Sequence, residues 1–315
     1  MEWSLHIGGA GDLEDDLSLD RLAAFERSAT IRPVVTLAAR LIADHFGDIN
    51  FTRIAFGNEF CEHLIPSINA FESALDAARS RSLAFTFLTP YVSDKGVAAL
   101  RPLFELLART GAGEVVFNDW GVLNLLRREF PALTPIQGRL LNKSLRDPRV
   151  TTIYASAPAP AATLSVLQRS NLDCESYTDL LSRLGVNTIE MDNLPQGNDL
   201  SFAESGVKIS VYLPFGFIST SRICMAAGLH YHKQDKFQPG APCRHECQTH
   251  LLEYAYTNSP FGNRDQRFYL KGNSYFYAHT ETMLRALFDQ ARGGRIARMV
   301  FQPRLPMTAG QRRER

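Results

Sequence analysis

The sequence predicts an α/β fold of the TIM type, a (β/α)8 barrel. Short apolar runs rich in β-branched and aromatic residues recur along the chain, and most of them precede a stretch with apolar residues at three- and four-residue spacing. This alternation is typical of parallel strands joined by helices. Eight such runs within 315 residues fit a single barrel, because one barrel usually needs about 250 residues.

The predicted strands and helices follow one another in a regular order. The eight strands are expected at 3–7, 53–57, 84–89, 114–118, 134–137, 187–191, 208–212 and 296–301. The clearest helical periodicity covers 33–45, 65–79, 95–109, 121–128, 177–184 and 281–291. In a barrel of this kind the loops after the strands meet at one face and carry the chemistry, so residues just beyond a strand end are the first candidates for a site.

Two segments interrupt this pattern within a single domain predicted to span 1–307. An insertion is expected at about 142–184, and its Ala-Pro-rich part, 155–163, is interpreted as a surface excursion. The segment 219–263 is too long for a plain loop between a strand and a helix, and it contains three of the five cysteines. The polar and basic tail 308–315 is expected to be disordered.

Charge and composition exclude several classes of partner. The formal net charge is +1, from 34 basic and 33 acidic residues, so no global field favours nucleic acid or an anionic membrane surface. No run approaches the roughly 20 apolar residues of a membrane span, and the first residues lack the basic and apolar regions of a signal peptide. We therefore expect a cytoplasmic protein without a membrane span.

The cysteines form the most informative pattern. Cys243 and Cys247 are separated by three residues, and Cys224 precedes them in the same long segment, a spacing that favours metal ligation over a disulfide framework. Cys61 follows the predicted strand 53–57 and so would face the same barrel mouth, which makes it the natural fourth ligand. Cys174 is less well placed and is interpreted as an ordinary thiol.

Spacing alone leaves the metal open. Zinc and iron–sulfur clusters both accept four thiolates, and zinc could also use the histidines of the same segment, which are His230, His232, His245 and His250. On the residues alone, a structural zinc site and an iron–sulfur site are about equally well supported.

The motifs also resemble a known family, the U32 peptidase-like (collagenase-like) barrels, and within it the UbiV-type iron–sulfur subunits of oxygen-independent ubiquinone biosynthesis. The resemblance runs from about 54 to 301 and rests on the order of Ile-Ala-Phe-Gly-Asn-Glu-Phe-Cys, Phe-Asn-Asp-Trp-Gly, Gln-Gly-Arg-Leu-Leu-Asn, Ser-Arg-Ile-Cys, Cys-x3-Cys and Phe-Tyr-Leu-Lys-Gly-Asn. In UbiV-type proteins the ligands of a 4Fe–4S cluster fall at positions that match Cys61, Cys224, Cys243 and Cys247.

The resemblance implies a function as well as a cofactor. It implies an oxygen-independent hydroxylase acting on an aromatic substrate, with prephenate as oxygen donor and a second, UbiU-like U32 protein as partner in a heterodimer. A non-catalytic iron–sulfur or zinc scaffold subunit is the alternative. A peptidase is less well supported, because the sequence has neither His-Glu-x-x-His nor Gly-x-Ser-x-Gly.

Polar residues at the predicted strand ends are candidates for substrate binding. They are Asn118, Asp119, Gln137, Asn142 and Arg222. Asn118 and Asp119 also fit a turn or helix cap, and Arg222 also fits a role in balancing the negative charge of a cluster. Glu59 and Glu190 each lie near a strand end, where a pair of carboxylates can serve acid–base chemistry.

Overall fold

The protein is a closed eight-stranded parallel barrel, as the sequence predicts. The computed structural model describes residues 1–13, 16–111, 113–148, 160–238, 242–254 and 266–310. The barrel strands are β1 (Glu2–Ile7), β2 (Arg53–Gly57), β3 (Ala84–Leu88), β4 (Glu114–Phe117), β5 (Thr134–Gln137), β6 (Thr188–Asp192), β7 (Lys208–Leu213) and, after the second sheet described below, β12 (Arg298–Phe301). Neighbouring strands pair in the order β1-β12-β7-β6-β5-β4-β3-β2 before closing on β1. All eight predicted strands are confirmed, with ends within two residues.

Helices pack around the outside of the barrel. They are α1 (Leu19–Phe25), α2 (Arg32–Phe46), α3 (Ile68–Arg79), α4 (Asp94–Ala108), α5 (Trp120–Glu129), α6 (Ala161–Leu167), α7 (Glu175–Arg183) and α8 (Glu281–Arg292). The six predicted helices are confirmed, whereas α1 and α6 were not predicted because each has only seven residues. Side chains of Ser67, Ser93, Asp119 and Thr280 accept hydrogen bonds from the first turns of α3, α4, α5 and α8, which fixes where these helices begin.

The barrel interior is filled rather than hollow. Ala55, Leu88, Val116, Ile136, Tyr212 and Val300 form one buried apolar layer across it. Below that layer, at the amino-terminal ends of the strands, Arg298 contacts Glu2 and Glu114 with N–O distances of 2.7 and 2.8 Å. Arg53 contacts the same two carboxylates. Ion pairs at this end stabilise the barrel. A functional site is expected at the opposite end, where the strands have their carboxyl termini.

A second sheet covers that opposite end. Its strands are β8 (Phe215–Thr220), β9 (Leu252–Tyr254), β10 (Phe268–Lys271) and β11 (Ser274–Ala278), antiparallel in the order β8-β11-β10-β9. The ring of Phe60, just after β2, lies 5.4 Å from that of Phe217 and 5.0 Å from that of Phe276. These contacts pack the second sheet onto the barrel mouth. The sequence did not predict this sheet, and part of β8 and all of β9 fall within the segment interpreted as a loop.

The interrupting segments have structure of their own. The predicted insertion contains α6 and α7, and its residues 149–159 lie outside the described residues. The segment 219–263 is described except for 239–241 and 255–263. Of the tail, 311–315 lies outside the described residues, whereas the backbone N–H of Ala309 donates to Gln248 Oε1 at 2.7 Å. Across the described part of the chain, no helix combines the length and apolar character needed to cross a bilayer.

Candidate metal centre and adjoining cavities

Cys61 is held by a turn at the end of β2. The side-chain Oδ1 of Asn58 accepts hydrogen bonds from the backbone N–H groups of Phe60 and Cys61, at 2.8 and 2.9 Å. Such a side-chain-to-backbone turn redirects the chain sharply after a strand. Since Phe60 is anchored under the second sheet, the thiol of Cys61 is directed to the space beside that sheet.

The other three cysteines lie in short turns on the far side of that space. Cys224 follows β8, and its Sγ accepts a hydrogen bond from the backbone N–H of Ala227 at 3.4 Å. The N–H of His245 donates to Cys243 Sγ at 3.4 Å. Cys247 accepts from its neighbour Gln248, whose Nε2 lies 3.2 Å from Sγ. N–H donors directed at sulfur stabilise thiolates, so these turns suit metal-bound cysteines.

Together these turns place all four predicted ligands around one small cavity. Cys61, Cys224, Cys243 and Cys247 line a space of about 50 Å³, which we name the cysteine cavity. Cys174 is elsewhere, exposed at the start of α7. The tertiary fold therefore brings together residues that are 186 positions apart, 61 and 247, and separates them from the fifth cysteine.

The thiols lie close enough to influence one another electrostatically. Burial, together with the three neighbouring thiols, raises the pKa of Cys61 to about 12. Burial also raises the pKa of Cys224 and of Cys247. The thiolate is the metal ligand, and a bound cation lowers the pKa of a thiol strongly, so loading this set with metal would release protons. Four thiols with N–H donors around one space fit a thiolate-bound metal centre.

The hairpin between β10 and β11 closes the cysteine cavity. Gly272 adopts a φ of +63°, in the left-handed region that favours glycine, and a Cβ there would lie 2.7 Å from Met307 Cε and 3.2 Å from Cys247 Cβ. The next residue, Asn273, donates through Nδ2 to the carbonyls of Phe60 and Ser221, at 2.7 and 2.6 Å. Asn273 therefore joins the segment of Cys61 to that of Cys224. The sequence motif contained both residues but indicated no role for them.

The histidines take other positions. Among the described residues, His63 is the one histidine that lines the cysteine cavity. The four histidines that the sequence offered as zinc ligands do not line it. His230 Nε2 lies 3.8 Å from Glu246 Oε1, and His250 Nδ1 lies 3.1 Å from the carbonyl oxygen of Glu246. Within the described ranges, no three His, Cys, Asp or Glu side chains form a group that could hold a metal ion as they stand.

Two larger cavities flank the cysteine cavity. One, which we name the groove, has a volume of about 880 Å³ and lies between the ends of β1 and β2, α3 and the segment 307–310. It shares His63, Leu64 and Met307 with the cysteine cavity. The other, which we name the basic cavity, has a volume of about 570 Å³ and shares Arg222 with it. A centre held by the four thiols would therefore lie between two spaces large enough for small molecules.

The basic cavity contains three of the five residues predicted to bind substrate. Asn118, Asn142 and Arg222 all line it. Asn118 also has a structural role. Its Nδ2 donates to the carbonyl of Thr89 and its Oδ1 accepts from the N–H of Leu140, both at 2.9 Å. These contacts join the ends of β3, β4 and β5 below the cavity.

The remaining two candidates lie outside that cavity. Asp119 caps α5, with Oδ1 accepting from the N–H of Gly121 at 2.7 Å, which is the helix-cap role that its sequence position also allowed. Gln137 is fully buried, and its Oε1 accepts from the hydroxyl of Tyr177 at 2.8 Å. Both residues therefore have structural partners.

A buried ionic cluster lies beneath the cavities at the barrel mouth. Arg139 is fully buried and contacts Glu59 and Asp192, with N–O distances of 2.5 and 2.8 Å. Its guanidinium carbon lies 3.8 Å from the ring centroid of Tyr212. Burial lowers the pKa of Arg139, but the two carboxylates outweigh it and hold the pKa above its ordinary value. Arg139 was not among the predicted site residues, although it occurs within the Gln-Gly-Arg motif directly after β5.

The second carboxyl group of the predicted acid–base pair, that of Glu190, is buried near the first. Burial and the charge of Glu59 raise the pKa of Glu190 well above its ordinary range. The Tyr212 hydroxyl lies 2.6 Å from Glu190 Oε2. Glu59 and Glu190 thus lie close enough for their charges to interact, and Arg139 makes its ion pair with Glu59. Two buried histidines, His6 and His279, have pKa values lowered by burial and by Arg139 to about 4 and about 3.

Comparisons with known proteins give distant structural similarities. No protein family model and no curated protein matches the sequence. Among solved structures, a U32 peptidase is similar at a TM-score of 0.40 and 11% identity, over 96% of this chain and 92% of that one. A chitinase-like agglutinin from Robinia pseudoacacia is similar at a TM-score of 0.35 and 11% identity, over 81% and 89% of the two chains. The spore cortex-lytic enzyme of Bacillus megaterium has a TM-score of 0.35 and 8% identity, over 99% and 71%.

Proposed function

We propose that this chain is the 4Fe–4S subunit of an oxygen-independent hydroxylase that acts on an aromatic substrate, as a UbiV-type member of the U32 family. The observation that carries the proposal is the convergence of four cysteines from three separate segments on one cavity. Free cysteines ordinarily pack as small apolar side chains, so four thiols that line one cavity point to a shared ligand.

We choose a cluster over a single zinc ion because the sequence resemblance implies 4Fe–4S ligands at these four positions. In a 4Fe–4S cluster each thiolate binds a different iron, so the sulfurs surround a volume, whereas the four ligands of a zinc ion converge on a point. Here the thiols line the walls of a cavity. Hydrogen bonds from Ala227, His245 and Gln248 to three of the sulfurs agree with this assignment, because such bonds stabilise the negative charge of a thiolate-bound cluster.

The chain's own residues would hold and shield the cluster. Cys61, Cys224, Cys243 and Cys247 would ligate it, and Gly272 lets the β10–β11 turn approach Cys247 closely. Lys271 is buried next to Cys247 and is a source of balancing positive charge. When bound, a cluster with four protein thiolates supplies electron transfer or structural support, because no iron keeps an open position.

The flanking cavities support a role in small-molecule chemistry. The groove contains apolar side chains beside the cysteine cavity, including Phe56, Leu64 and Ile65, so it offers an aromatic substrate a place to bind. We propose further that prephenate is the oxygen donor, that a UbiU-like U32 protein completes a heterodimer, and that the pair works in the cytoplasm. These proposals come from the sequence resemblance.

Metal analysis of anaerobically purified protein tests the cofactor. We expect about four irons and about four acid-labile sulfides per chain, with broad absorbance near ~400 nm. Each of the four variants Cys61→Ser, Cys224→Ser, Cys243→Ser and Cys247→Ser should lose most of the iron, whereas Cys174→Ser should keep it. One zinc per chain without sulfide, or equal iron loss in Cys174→Ser, would contradict the proposal.

Turnover tests the reaction. The loaded chain, together with its U32 partner, should hydroxylate a phenolic quinone precursor under anoxic conditions when prephenate is added, and neither chain should do so alone. Oxygen from labelled prephenate should appear in the product. Iron-loaded protein that binds the partner but supports no hydroxylation would instead favour the scaffold alternative.

A further inference from the structure

The segment that follows the last barrel strand crosses the loop after β1. We name residues 304–310 the strap. A Cβ on Gly8 would lie 2.8 Å from the backbone nitrogen of Gly310, and one on Gly9 would lie 3.0 Å from its Cα. The two glycines after β1 therefore allow the two backbones to touch. The residues of the strap that line the groove are Met307, Thr308, Ala309 and Gly310.

One side chain joins the strap to the cysteines. Nε2 of Gln248 donates to the carbonyl of Met307 at 2.9 Å, and Oε1 accepts from the N–H of Ala309 at 2.7 Å. The amide thus bonds the strap with one donor and one acceptor, as a neighbouring strand would. The same Nε2 lies 3.2 Å from Cys247 Sγ. Because an amide nitrogen carries two hydrogens, Gln248 serves the sulfur and the strap at once.

The docked strap is held by its hydrogen bonds against a strained backbone. Met307 adopts a φ of +68°, in the left-handed region that residues other than glycine rarely adopt, and its side chain is buried. This conformation costs free energy, which undocking would release. Apart from Gln248, the strap is held by Arg304, whose Nη1 donates to Asp12 Oδ1 at 2.9 Å and to the carbonyl of Ala309 at 3.1 Å.

The contact between Gln248 and Cys247 depends on what the sulfur binds. A thiol sulfur is a weak acceptor, whereas the thiolate sulfur of a metal ligand carries negative charge and accepts a charge-assisted hydrogen bond. Metal loading would therefore hold the amide of Gln248 more firmly in the orientation that bonds the strap. Met307 lines both the cysteine cavity and the groove, so the strap is a wall that the two spaces share.

We propose that Gln248 is a positioning residue that couples metal loading at Cys247 to docking of the strap, so that the groove has its complete wall only beside a loaded centre. The inference rests on the proposed function for the presence of a metal, but any thiolate-bound metal acts through the same amide. The coupling is reciprocal, because a docked strap must favour metal binding by the same factor. A ligand of the groove would then find a complete site only in loaded protein.

Hydrogen–deuterium exchange of the full chain tests the coupling. The quantity measured is the exchange rate of the strap amides, above all that of Ala309, which donates to Gln248. Three samples are compared: metal-free protein, protein reconstituted anaerobically with iron and sulfide, and protein loaded with zinc alone. Loading with iron–sulfur or with zinc should slow exchange at Ala309 about fivefold or more, the factor expected when a neutral hydrogen bond becomes charge-assisted.

Matched variants separate the coupling from simple docking. In Gln248→Ala the strap should exchange fast with or without metal. Gln248→Glu keeps an acceptor for Ala309 but places a carboxylate beside the sulfur, so loading should speed the exchange instead of slowing it. Arg304→Gln removes the other support, so it should speed exchange in all samples and leave the effect of loading unchanged. Gln234→Ala, at an exposed position of the same long segment, should change nothing.

Zinc affinity gives a second measurement. The Kd for zinc, obtained by competition with a chelator, should rise in Gln248→Ala by the same factor by which loading protects the strap. Equal exchange in loaded and metal-free protein, an undiminished effect of loading in Gln248→Ala, or an unchanged Kd would each overturn the inference.

These results also separate the inference from the proposed function. Slowed exchange in a chain that takes up zinc but no cluster would support the coupling while contradicting the 4Fe–4S assignment. An iron-loaded chain whose strap exchanges as fast as in metal-free protein would contradict the coupling alone. A chain that binds neither metal would overturn both.

Discussion

The side-chain amide of Asn273 donates a hydrogen bond to the backbone carbonyl of Phe60, at 2.7 Å and across 213 positions of sequence. The same Nδ2 lies 2.6 Å from the carbonyl oxygen of Ser221 and 3.2 Å from the hydroxyl of Tyr91. One buried amide thus fixes the distance between the segment that carries Cys61 and the segment that carries Cys224. Its loss removes a donor from the carbonyls of buried Phe60 and of Ser221, which costs about 1 to 3 kcal/mol for a buried group.

Replacing this amide should therefore loosen the metal centre. Asn273→Asp keeps the shape but replaces the donor with an acceptor, and we expect it to lower the free energy of unfolding by about 2 to 4 kcal/mol. It should also reduce iron retention after gel filtration. Urea unfolding and iron analysis measure the two effects. Asn50→Asp, at an exposed loop position, is the matched control, and equal losses in both variants would contradict a positioning role for Asn273.

The environments of the five cysteines predict a pattern of chemical labelling. In iron-loaded protein, iodoacetamide should modify Cys174 alone, because it is exposed and has no metal to protect it. After unfolding in chelator all five should react. Peptide mass spectrometry gives the modified fraction at each site. Labelling of Cys61 or Cys243 in loaded protein as fast as that of Cys174 would show that these thiols are not ligands.

The ion pairs at the amino-terminal end of the barrel should contribute measurably to stability. Glu114 accepts from both terminal nitrogens of Arg298, at 2.8 and 3.0 Å, and its Oε2 lies 3.1 Å from Arg53 Nη1. Glu114→Gln should lower the free energy of unfolding by about 2 to 3 kcal/mol, because it leaves two partly buried arginines with Glu2 as their shared carboxylate. The control is Glu129→Gln, whose exposed pair with Arg101 should contribute less than about 1 kcal/mol. Urea denaturation distinguishes them.

Buried neutral histidines should make the protein acid-sensitive. The pKa of His279 is about 3 in the folded protein against an ordinary value of 6.5, so its contribution to stability is complete above pH 6.5. As the pH falls from 6.5 towards 3 the unfolded chain takes up a proton that the folded chain does not, and that contribution is lost. His279→Phe should therefore flatten the pH dependence of the unfolding free energy by about 1.4 kcal/mol per pH unit.

Urea denaturation at several values between about pH 4 and pH 6 measures that slope. His232→Phe is the control, because His232 is exposed and the slope should not change. An unchanged slope in His279→Phe would mean that this histidine is protonated in the folded protein. The pKa of His6 is about 4 in the folded protein, which is closer to the ordinary value than that of His279. His6 should therefore have the same effect over a narrower pH range.

The parts of the site differ in how far the sequence predicts them. The barrel strands and main helices follow from local periodicity, because burial on one face imposes a pattern that is readable in the sequence. In the second sheet, β9 has three residues, all exposed, and leaves no periodic signal, whereas the buried runs of β10 and β11 are too short to distinguish from other apolar segments. Arg139 was missed for a related reason. An arginine after a strand ordinarily faces solvent, and only its contacts with Glu59 and Asp192 make a buried position stable.

By itself, the sequence determined the barrel, the types of residue available for chemistry, and the position of Cys61 just beyond a strand. It did not determine the distances between segments, because these depend on contacts between residues far apart in the chain. Only the tertiary structure placed the thiols of Cys61 and Cys247 in one cavity and left Cys174 outside it. The physical cause is the packing of the second sheet on the barrel mouth, where Phe60, Gly272 and Asn273 bring three turns together.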